Sequence, residues 1–113
     1  MMAANIVGNK SVRSLSLTHK KIEDEEGVKF AKMLLVNSYV RKVEFEGNKL
    51  GPKTALELAN VLSINDSLQF LDLSQNCLTS VYGDNPTGVV ALAQALKQNT
   101  TLLSLGVAGN QLD

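Results

Sequence analysis

His19 and Cys77 are the only histidine and cysteine in the 113-residue chain. A thiolate nucleophile needs a base within hydrogen-bond reach. Cys77 stands one place before a core leucine, at a different motif position from His19, and the register keeps the two apart. No Cys/His cluster has metal-ligand spacing. The stretch from Gly83 to Gly88 has glycines but no lysine and no helix placed to cradle a phosphate. Asn9, Asn65 and Asn99 open N-x-S/T triplets. Each of these asparagines also holds a fixed place in a repeating pattern, so a structural reason for it comes first. The expectation is a chain that binds rather than catalyses, with no cofactor.

The bulk properties narrow what is bound. Eleven Lys and Arg balance eleven Asp and Glu, so no net field attracts nucleic acid or an anionic membrane. Apolar residues are 44% of the chain and aromatics 4%, so aliphatic side chains must fill the core. One cysteine cannot form an intrachain disulfide, which favours a reducing compartment. Met1 to Lys10 lack the basic start and apolar run of a secretory signal. No segment approaches the ~20 apolar residues of a membrane span. A cytoplasmic protein, with a cytoskeletal setting among the options, is expected.

The elements that position these residues come from an internal repeat. Four segments, Val12–Ile22, Val40–Leu50, Leu68–Leu78 and Leu102–Leu112, share the pattern L-x-x-L-x-L-x-x-N-x-L with apolar equivalents. Their starts lie 28, 28 and 34 residues apart. Before each lies an apolar stripe at helical spacing: Ala55, Leu58, Ala59, Leu62, then Asn65. Phe30, Ala31, Leu34, Asn37 match it, as do Val89, Leu92, Ala93, Leu96, Asn99 and, at the start, Met2, Ala3, Ile6, Asn9.

These residues resemble the leucine-rich-repeat superfamily, and a strand-plus-helix unit of 28 residues is similar to its ribonuclease-inhibitor-like class. The resemblance implies an α/β, right-handed, curved solenoid of about four repeats. Its parallel strands would line the concave face and its helices the convex face. It implies one domain spanning residues 1–113, expected to be a segment of a longer solenoid. The alternative is a short protein whose uncapped ends are covered by self-association. The implied function is protein–protein interaction through the concave face or a rim loop. The same class includes a Ran GTPase activator, tropomodulin C-terminal domains and the sensor region of NOD-like receptors. A GTPase-activator-like regulator or a cytoskeletal or ciliary scaffold is therefore the alternative reading.

The register assigns candidate residues. Asn48, Asn76 and Asn110 occupy the ninth motif position and should bond backbone groups of neighbouring coils; Lys20 takes that place in the first coil. The asparagines after the helices are expected in the left-handed turn that ends a helix. On the concave face, Ser14, Lys42, Phe70 and Ser104 form one column, and Ser16, Glu44, Asp72 and Gly106 the next. Thr18, Glu46, Ser74 and Ala108 form the third, with His19, Gly47, Gln75 and Gly109 at the rim. Lys42, Glu44, Glu46, Phe70, Asp72 and Ser74 are the candidate partner-binding set. Clustered Glu44, Glu46 and Asp72 would favour a partner with a basic surface, and Phe70 would be an aromatic anchor. The longer unit projects a turn-rich rim loop carrying Tyr82 and Asp84. Val7 and Leu35 would form an apolar strip on the convex side.

Overall fold

The computed structural model describes residues 10–80 and 82–111. Its elements run β1 (Ser14–Ser16), α1 (Asp24–Val36), β2 (Lys42–Glu44), α2 (Pro52–Ile64), β3 (Phe70–Asp72), α3 (Thr87–Leu96) and β4 (Ser104–Gly106). The four strands form one sheet in the order β1-β2-β3-β4, and all pairs are parallel. Leu15 pairs with Val43, Val43 with Leu71, and Leu71 with Leu105. Each pairing joins residues at the same motif position. The helical stripe at Met2, Ala3, Ile6 and Asn9, with Val7, lies outside the described residues, as does Leu112.

Each strand is three residues long, and its middle side chain turns inward. Period-two alternation puts the flanking side chains on the opposite face. Leu15, Leu17, Val43, Phe45, Leu71 and Leu73 meet Phe30, Leu34, Leu58, Leu62 and Leu92 from the helices. Phe30 and Phe45 pack edge to face, with ring centroids 5.8 Å apart. The helices bury a wider stripe than the expected four positions. Met33, Val61 and Ala95 are also buried, because a helix with neighbours on its flanks is covered over a broad arc. In α3 the expected face is only partly covered. Ala93 and Leu96 are exposed and Val89 is half-buried, since no described helix packs beyond α3.

The asparagine ladder forms. Asn76 Nδ2 donates to the carbonyls of Phe45 (3.0 Å), Leu73 (3.0 Å) and Ser74 (3.1 Å). Its Oδ1 accepts from Leu50 N–H (3.0 Å). Asn48 reaches back to Leu17 O and accepts from Lys20 and Ile22 N–H. Asn110 reaches back to Leu73 O and accepts from Leu78 N–H. Each amide therefore ties its own turn to the preceding coil. In the first coil Lys20 is exposed, as a cation at that position requires.

The asparagines after the helices differ from expectation. Asn37 (φ −97°, ψ 128°) and Asn65 (φ −73°, ψ 129°) are extended, not left-handed. They build a second ladder instead. Asn65 Oδ1 accepts from Ser67 and Leu68 N–H (2.8 Å each), and its Nδ2 donates to Leu34 O and Asn37 O. Asn99 repeats this with Thr101, Leu102 and Leu62. The side chain closes the turn itself, so the backbone has no need of positive φ. Left-handed backbone falls instead on the rim column, His19, Gly47, Gln75 and Gly109, with φ of 54°, 75°, 57° and 73°, and on Lys21, Ser80, Gly83 and Gln111 in the turns. A Cβ on Gly47 would strike the His19 ring, and one on Gly109 the Gln75 amide.

A cross-coil cap was not legible in the sequence. No side chain of its own segment caps α2. Asp24, at the start of α1, accepts from Gly51 (2.9 Å), Lys53 (3.1 Å) and Thr54 (2.8 Å) N–H and from the Thr54 hydroxyl (2.6 Å). An anion at a helix N-terminus satisfies orphan donors and opposes the helix dipole favourably.

Candidate functional site

The outer face of the sheet is open, and the strand register sets its columns. Ser14, Lys42, Phe70 and Ser104 align across the four strands, as do Ser16, Glu44, Asp72 and Gly106. On β2, β3 and β4 these side chains line a groove of about 290 Å³. Lys42, Glu44, Phe70, Asp72 and Ser74 of the candidate set border it, joined by Ser104 and Gly106. Glu46 does not. It lies past the end of β2, where its carbonyl accepts from His19 N–H (2.9 Å).

The electrostatics also differ from a purely acidic patch. Lys42 Nζ lies 3.9 Å from Glu44 Oε2, with both side chains substantially exposed. Such a pair is worth under ~1 kcal/mol, yet it cancels the local charge. Asp72 Oδ1 accepts from Ser74 N–H (2.9 Å). Among the described residues no cation pairs with Asp72. Phe70 remains 40% exposed in the midst of this polar surface. Lys42 faces Phe70 across the ladder, but its ammonium turns toward Glu44.

The rim loop is compact. Ser80 Oγ–H donates to Asp84 Oδ1 (2.6 Å), and Tyr82 N–H donates to Ser80 Oγ (3.2 Å). Asn85 N–H closes the loop onto Thr79 O (2.9 Å). Asp84 is thus engaged within the loop, while Tyr82 projects with 86% of its surface exposed. On the convex side, Leu35 is half-buried against the core rather than forming an outer strip. The next residue and its counterpart, Val36 (66%) and Ile64 (70%), are exposed, as are Leu56, Val90 and Leu96 on the later helices. A wider opening of about 990 Å³ lies on the flank of the first coil, lined by Leu17, Ile22, Phe30, Asp24, Glu26 and Lys53. Its apolar walls are inward-facing core residues, the kind of surface on which a coil stacks.

Among the described residues no group of His, Cys, Asp and Glu could hold a metal ion, and no helix is long and apolar enough to cross a membrane.

No family model matches the chain. It is 32% identical over 105 residues to human NACHT, LRR and PYD domains-containing protein 13, covering 91% of this chain and 9% of that protein. Over 71 residues it is 35% identical to mouse tropomodulin-4, covering 63% of this chain and 19% of that protein. The chain thus spans less than a fifth of the length of these relatives. Among solved structures it is similar to leiomodin-1 actin-binding site 2, with a TM-score of 0.79, 25% identity, and coverage of 93% of this chain and 58% of that one. The fold is leucine-rich-repeat-like. In such a fold the groove lies on the solvent side of the sheet, with the asparagine ladders holding the coils in register behind it.

Proposed function

We propose that this chain is an actin-binding or actin-associated module that engages its protein partner through the open sheet face, and that it has no catalytic role. The observation that carries this is its likeness to leiomodin-1 actin-binding site 2 along 93% of its length. The identity to tropomodulin-4 supports the same setting. The exposed Phe70 at the centre of the groove supports the choice of face, because a partly exposed aromatic amid polar neighbours is the usual form of an interface anchor. The finer classification that fits is a right-handed solenoid of the ribonuclease-inhibitor-like class with about four coils, in a cytoplasmic, cytoskeletal protein. Right-handed crossovers are the rule for parallel strands joined through helices.

The test is co-sedimentation with filamentous actin, together with binding to monomeric actin by fluorescence anisotropy, for wild type and Phe70→Ala. Saturable binding that Phe70→Ala weakens supports the reading. No binding to either form of actin refutes it. A second reading, a repeat segment within a larger multidomain protein unrelated to actin, is favoured by the match over 91% of the chain to the NACHT, LRR and PYD protein. It would be left standing by that failure.

A further inference from the structure

We propose that the groove on β2–β4 is a clamp for one arginine side chain of a protein partner, with the guanidinium plane on the Phe70 ring and its N–H fork on the Asp72 carboxylate. This rests on the protein-binding reading and specifies the chemistry of what is bound.

Phe70 and Asp72 are two apart on β3, so both project onto the open face, with Cα atoms about 6–7 Å apart. Their neighbours on β4 are the smallest available. Ser104 stands beside Phe70, and Gly106 beside Asp72. The absence of a side chain at Gly106 is used: Asp72 Oδ1 lies 2.6 Å from where a Cβ there would stand. The carboxylate leans over the β4 backbone, with Ser74 Oγ 3.1 Å from the same point. On the β2 side, Lys42 Nζ lies 3.9 Å from Glu44 Oε2. Asp72 therefore carries the one groove charge without a cation among the described residues.

An aromatic face next to a carboxylate with no cation partner among the described residues, one oxygen of which accepts from Ser74 N–H, fits a guanidinium better than an ammonium. Arginine stacks on aromatic rings through its planar, weakly hydrated group and presents parallel donors to a carboxylate. A lysine offers a compact, strongly hydrated charge that cannot do both at once. The groove, about 290 Å³, suits one long side chain on an extended segment rather than a whole helix.

The test is an amide chemical-shift titration of the ¹⁵N-labelled chain. The probes are blocked glycine–serine heptapeptides carrying one central arginine, lysine or citrulline. The arginine peptide should shift Phe70, Asp72 and Gly106 and bind about fivefold more tightly than the lysine peptide. Citrulline, planar but uncharged, should not bind. Asp72→Asn keeps an oxygen to accept from Ser74 N–H and should abolish arginine binding with a native spectrum. Phe70→Leu should remove the preference for arginine over lysine. Equal shifts with arginine and lysine, shifts outside the groove, or no shifts at millimolar peptide would each overturn the clamp. Actin co-sedimentation of wild type and Asp72→Asn, run alongside, separates the two claims. Actin binding without arginine selectivity sinks the clamp alone. Arginine selectivity without actin binding sinks the actin reading alone.

Discussion

Replacing Asn76 with alanine isolates what the ladder contributes. Asn76 is 5% exposed and makes four hydrogen bonds, three as donor and one as acceptor. Its removal leaves Leu50 N–H buried without an acceptor and takes one of two donors from the carbonyls of Phe45 and Leu73, which keep Asn48 and Asn110. One unsatisfied buried group costs about 1–3 kcal/mol. The losses share one amide and do not add in full, so the expected total is about 3–4 kcal/mol. For a domain of this size each kcal/mol moves the melting midpoint by about 3–6 °C, giving a fall of about 10–20 °C. Lys20→Ala is the matched control, at the same motif position but exposed. Its backbone N–H still donates to Asn48, so its effect should stay within ~0.5 kcal/mol. Asn76→Asp preserves shape and the acceptor for Leu50 but turns a carboxylate toward three carbonyls. It should destabilise at least as much as alanine. The assay is thermal and urea unfolding followed by circular dichroism. Equal shifts for Asn76→Ala and Lys20→Ala, or a wild-type melt for Asn76→Asp, would show that the ladder does not join the coils.

Four further outcomes are expected. Asp24→Ala should cost about 2 kcal/mol in urea unfolding by uncapping α2, with Asp24→Asn closer to wild type because one acceptor oxygen survives. Gly47→Ala should cost about 1–2 kcal/mol for its φ of 75°, and His19→Gly in the same chain should recover part of that by removing the ring a Cβ would meet. Phe70→Ala should change unfolding by under about 1 kcal/mol while weakening actin binding at least about tenfold, since an anchor contributes to the interface and not to the core. Tyr82→Ser should leave the urea midpoint unchanged within ~0.5 kcal/mol, because the loop is closed by Ser80, Asp84 and Asn85 rather than by the ring.

The strand positions and their pairing were legible in the leucine spacing. Leu15, Val43, Leu71 and Leu105 align as the motif requires, because a slip by one residue would turn every apolar side chain out of the core. The ladder of Asn48, Asn76 and Asn110 was legible for a related reason: a buried amide recurring at a fixed place must bond a recurring set of backbone groups. The binding groove was legible only in part. Its columns followed from register, but the partners of its long side chains did not. Lys42 could have lain on Phe70 and instead meets Glu44; Glu46, three acids' worth of expectation notwithstanding, lies off the groove.

Spacing alone therefore determined which strand residues face inward, which strands are neighbours and which side chains share the open face. These are properties of a backbone period, and one repeat written several times overdetermines them. Tertiary structure decided what a period does not encode. It joined Asp24 to the next helix, turned Asn37 and Asn65 into Asx-type closures without left-handed backbone, covered Leu35 while baring Val36, and left Asp72 beside an empty Gly106. Each depends on a rotamer chosen among atoms brought together from different coils, and that choice exists only once the coils have stacked.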